Sequence, residues 1–62
     1  MKSYDHYLNE AKMLARAGHN RSDVLKAFKT QYLLLDDNSN QRDALALLIS
    51  DIESNKFDEL FN

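Results

Sequence analysis

Apolar residues recur along this chain at helical spacing, and short polar runs interrupt them. Tyr4, Tyr7, Leu8, Ala11, Leu14 and Ala15 follow the i, i+3, i+4 rule and form one stripe, which predicts a helix over Tyr4–Ala17. Ser3 is its expected N-cap, because a short hydroxyl side chain can accept from a free first-turn N–H. Asp5 suits the positive end of the helix dipole. Gly18 stands where helices commonly end on a left-handed residue. A second helix is predicted over Asp23–Leu35, with Ser22 as N-cap and a stripe of Val24, Leu25, Phe28, Tyr32 and Leu35. Asp36–Asn40 reads as a polar loop. A third helix is predicted over Gln41–Glu53, with Leu45, Leu48, Ile49 and Ile52 as its stripe. Its cap is Ser39 or Asn40, and Asn40 with Asp43 three residues on resembles a capping box. Ser54 and Asn55 break the pattern, and Phe57, Leu60 and Phe61 share one side of a last helical turn. Short loops favour antiparallel neighbours. The expected fold is therefore all-α: a three-helix hairpin or bundle with a short C-terminal helical turn, forming one domain over residues 1–62.

Some large apolar residues fall off these stripes. At 100° per residue, Met13 lies opposite the first stripe, Leu33 opposite Val24 and Leu35, and Leu47 well away from Leu45, Leu48 and Ile52. A helix that is apolar on several sides is normally covered on several sides, and a chain of 62 residues has little interior to do the covering. The expectation is a second apolar surface closed by another chain, built from Met13, Leu33, Leu34, Leu47, Phe57, Leu60 and Phe61. Singly exposed leucines are the ordinary alternative. The last three, with Asp58 and Glu59 between them, either dock on a partner or fold back over the core.

Size strengthens the case for a partner. A domain of about 60 residues buries only about 60% of its unfolded surface and is marginally stable. Such scaffolds usually rely on a disulfide, a metal or another chain. With no Cys, both a disulfide framework and a cysteine-ligated zinc site are excluded. Oligomerisation, most simply a homodimer, is the remaining support. The lack of Cys also suits a reducing compartment, so the expected location is cytoplasmic. No apolar run approaches the ~20 residues of a membrane span, no signal-type apolar segment follows Met1, and no membrane association is expected.

Charge is unevenly placed. Residues 1–31 carry six Lys/Arg against three Asp/Glu, whereas residues 32–62 carry two against seven, so a net −2 hides a +3 half and a −5 half. Opposite halves of this kind can attract across a dimer. Taken singly, exposed ion pairs contribute about 1 kcal/mol or less.

Chemistry-bearing patterns are few. His6 and Glu10 sit one helical turn apart, but they supply two ligands where structural zinc takes four. His19 follows Gly18 in a loop position. Counted from Asp36, the sixth and twelfth positions are Gln41 and Leu47, which a calcium loop would fill with Gly and Glu. There is no Gly-rich phosphate cradle and no cysteine nucleophile, and Ser3, Ser22 and Ser39 are explained as caps. No catalytic residue, metal site or cofactor is expected, and the chain is not expected to be an enzyme.

Met13–Val24 resembles the turn of helix-turn-helix regulators. Gly18 matches the turn glycine, and Val24 matches the apolar position that packs the second helix on the first. Leu14 stands where that family usually has Ala, and His19 where it usually has an apolar residue. The resemblance implies a second helix lying in the major groove, with Arg21 and Ser22 toward bases and Arg16, Lys26 and Lys29 toward phosphates. The acidic total weighs against nucleic-acid binding.

In size, helicity and lack of cysteine the chain resembles the small accessory proteins of bacteriophage early operons, those of lambdoid phages among them. That resemblance implies a cytoplasmic, non-enzymatic protein that perturbs regulation by binding a host or phage protein. The leading expectation is a self-associating interaction module, with DNA binding as the alternative. An inhibitor whose acidic half mimics nucleic acid is a third possibility.

Overall fold

The computed structural model describes residues 3–36 and 39–61. Its helices are α1 (Tyr4–Arg16), α2 (Arg21–Leu34) and α3 (Asn40–Glu53), followed by a 3-10 turn over Asp58–Phe61. No strand occurs among the described residues. The expected all-α, three-helix architecture is what forms. Asp37 and Asn38 of the predicted loop lie outside the described residues.

Local chemistry sets the helix ends. Ser3 caps α1, its hydroxyl accepting from the His6 N–H at 3.4 Å. Gly18 (φ +99°) closes α1: the His19 N–H donates to the Leu14 carbonyl and the Gly18 N–H to that of Ala15. This is a Schellman motif, which satisfies carbonyls that the helix end leaves free. Asn55 (φ +66°) does the same for α3, with Lys56 donating to Asp51 and Asn55 to Ile52. Asn is the best non-glycine choice for this conformation because its short polar side chain bonds locally.

One expected cap is corrected, and another is decided between its two candidates. α2 begins two residues early, and its N-cap is Asn20, whose Oδ1 accepts from the Asp23 N–H at 2.8 Å; Ser22 lies within the first turn. α2 ends at Leu34, with Leu35 already extended. α3 begins at Asn40 with Ser39 as N-cap, its Oγ accepting from the Gln41 N–H at 3.1 Å. With Ser39 in that position Asn40 is helical, so the Asn40–Asp43 capping box does not form.

The predicted stripes meet in one core. Tyr7 and Ala11 from α1, Val24 and Phe28 from α2, and Leu45, Leu48, Ile49 and Ile52 from α3 are all buried. Tyr7 and Phe28 pack edge to face, with ring centroids 6.2 Å apart and planes at 75°. At the margin, the Arg42 guanidinium lies over the Tyr32 ring, 4.3 Å from its centroid.

Three contacts tie remote segments together. Tyr4 donates to Asp51 Oδ2 at 2.5 Å, joining the start of α1 to the last turn of α3. Arg21 pairs with Asp58 at 3.5 Å and Lys29 with Glu53 at 3.6 Å. Both pairs join the basic front half to the acidic back half within one chain. The charge asymmetry thus acts inside the fold, in addition to any action between copies. These pairs are exposed, so each adds little to stability.

The Tyr4 clasp has a pH signature. Burial, then the hydrogen bond and charge of Asp51, then the charge of Asp5, push the Tyr4 phenol up to about 12. A proton held more tightly in the folded state stabilises fully below the unfolded value near 10 and is lost as pH rises toward 12. Tyr4→Phe is expected to cost about 1 kcal/mol at neutral pH. It is also expected to flatten the decline of Tm between pH 10 and about 12. Tyr7, also raised by burial, leaves a residual slope. Thermal melts across that range check this, and an unchanged slope in Tyr4→Phe would remove the clasp as its cause.

Candidate functional site

The helices that bury one stripe leave other large apolar side chains in water. Met13 on α1, Leu33 and Leu34 on α2, and Leu47 on α3 are 65, 78, 81 and 57% exposed. These are four of the seven residues expected on a partner-binding surface. The other three differ. Phe57, Leu60 and Phe61 are half-buried, and Phe57 and Phe61 pack against the core. Had α3 run straight on, they would have faced away from its stripe. The left-handed corner at Asn55 turns the chain and brings the two phenylalanines back onto the bundle.

The four exposed residues do not all share one helix face. Leu33 and Leu34 lie on the last turn of α2. Leu47 stands on its own row of α3, one turn after Asp43 and before Ser50. Met13 adjoins Leu14, which lines a groove of about 580 Å³ between α1 and α2. Leu14 and Val24 give that groove an apolar floor, Ala27 adds to its α2 wall, and His19, Asp23, Lys26 and Thr30 surround it. His19 and Asp23 stand 3.9 Å apart at its edge. Sequence periodicity did not single out Ala27 and Thr30. Ala is too small and Thr too polar to mark an apolar stripe, although both fall at helical spacing from Leu34.

The residues assigned to DNA contact in the alternative are distributed unevenly. Arg16, Ser22 and Lys26 are exposed. Arg21 and Lys29 are engaged by Asp58 and Glu53, which offsets part of the positive charge that phosphate binding would use. His6 pairs with Glu10 at 3.1 Å on the α1 surface. Among the described residues no group of three His, Asp or Glu side chains is placed to hold a metal ion, and no helix is long and apolar enough to cross a membrane.

No protein-family model matches the chain, and no curated protein or solved structure is significantly similar to it.

Proposed function

We propose that this chain is a non-enzymatic interaction module that self-associates and engages a host or phage protein. The observation that carries the proposal is the set of four large apolar side chains left in water on so small a bundle. Exposed apolar patches are the usual mark of a binding surface, and a bundle of this size gains most from having one covered. The likeness to phage accessory proteins directs the search for a second partner toward regulatory proteins of the infected cell. The cysteine-free sequence suits their reducing cytoplasm.

Self-association makes stability depend on concentration, because anything that binds only the folded state raises the melting temperature by mass action. Sedimentation velocity and thermal melts over a hundredfold concentration series are expected to show a dimer and a rising Tm. A monomer with the same Tm throughout would overturn the proposal.

A further inference from the structure

The groove and the two exposed leucines belong to one surface. Lys26, Ala27, Thr30, Leu33 and Leu34 recur at i, i+1, i+4, i+7 and i+8 along α2 and are all exposed. The first three line the groove. α2 therefore presents a recess along its earlier turns and two protruding leucines on its last turn. At a rise of 1.5 Å per residue, Leu34 stands about 10–15 Å beyond Val24 and Ala27.

We infer that this face pairs with the same face of a second copy. The two α2 helices run antiparallel about a two-fold axis beside Thr30, and Leu34 of each copy enters the groove of the other. This rests on the self-association proposed above and adds the surface and its geometry. A two-fold interface must be self-complementary, so a protrusion needs its recess on the identical patch. The α2 face carries both, at opposite ends, as an antiparallel pair requires.

The charges permit this approach. α2 holds Arg21, Lys26 and Lys29 against a single acid, Asp23, and that excess would repel a second α2. Arg21 and Lys29 are instead paired with Asp58 and Glu53 of their own chain. Asp23 and Lys26 remain at the groove and cancel. Leu47 has no comparable setting, since its neighbours one turn away on α3 are Asp43, Ala44, Ser50 and Asp51. A standard interface takes about 800 Å² from each partner, against an exposed surface of 4309 Å² here.

The absence of cysteine makes the test direct, because a single introduced thiol reports only on its own position. Thr30→Cys and Leu47→Cys are each oxidised mildly at a concentration where the parent associates, with circular dichroism confirming the fold. Thr30→Cys is expected to form a covalent dimer on a non-reducing gel, since residues beside a two-fold axis come within disulfide reach. Leu47→Cys is expected to associate without cross-linking. A Thr30→Cys chain that associates without cross-linking, or cross-linking that is equal or stronger at Leu47→Cys, would overturn the α2 pairing and leave self-association standing. No cross-link at either position with a concentration-independent melt would remove both.

Discussion

Phe28→Ala is expected to leave the chain largely unfolded at 25 °C. Phe28 is fully buried and meets Tyr7 edge to face at the point where α1 and α2 touch the core. Truncating a buried Phe to Ala costs about 3–5 kcal/mol, from lost transfer energy and the cavity left behind. A core of this size rarely supplies more than about 3–5 kcal/mol in total. The loss therefore equals the whole net stability, where in a larger domain it would be a fraction of it. Phe28→Leu keeps most of the volume and is expected to cost about 1 kcal/mol, lowering Tm by about 4–8 °C. Far-UV circular dichroism and thermal melts separate the two variants. A Phe28→Ala chain melting within a few degrees of the parent would show that this ring does not hold the bundle together.

Replacing both leucines at the end of α2 is expected to have the opposite profile: little effect on the fold and a large one on association. Leu33 and Leu34 touch little of their own chain, and exposed substitutions usually stay within about 0.5 kcal/mol. Burial of a leucine at an interface contributes about 1.5–3 kcal/mol. In a two-fold pair the Leu34 of each copy is lost, and losing those two alone corresponds to an increase in Kd of at least roughly 10²–10⁴-fold. Gln suits the purpose, because it is a good helix former and adds no charge at the negative end of the α2 dipole. The Leu33→Gln, Leu34→Gln chain is expected to sediment as a folded monomer with a concentration-independent Tm, whereas Leu47→Gln is expected to associate like the parent. Association of the double variant at parental strength would take these leucines out of the interface.

Much of the fold was legible because helical periodicity reports burial directly. Each of the eight core residues stands on a predicted stripe, from Tyr7 to Ile52. Less was legible at the start of α2. Asn20 and Ser22 are equally good caps by residue type. The choice falls to the turn, where the Gly18 corner uses the His19 N–H and brings Asn20 to the first position from which a side chain can cap. Pairings such as Tyr4 with Asp51 were not legible, because a stripe shows which side of a helix is covered and not which neighbour covers it. The candidate surface divides along the same line. Met13, Leu33 and Leu47 follow from angular arithmetic within one helix. The groove needs Leu14 of α1 beside Val24 and Ala27 of α2, which is a matter of docking. Phe57 and Phe61 changed sides because a single residue, Asn55, took a left-handed conformation.

The Tyr4–Asp51 clasp also bears on the entropic cost of folding. It joins residues 47 positions apart, so docking α1 on α3 closes a long loop. The contacts between α2 and α3 close over far fewer residues and form with less loss of chain entropy. The α1–α3 contacts therefore carry a larger entropic cost than the α2–α3 contacts. Undocking of α1 would remove Leu14 from the groove, and with it the recess that receives Leu34 in the proposed pair. Docking of α1 and pairing of copies then become two readouts of one equilibrium, in which each dimer formed holds α1 in place.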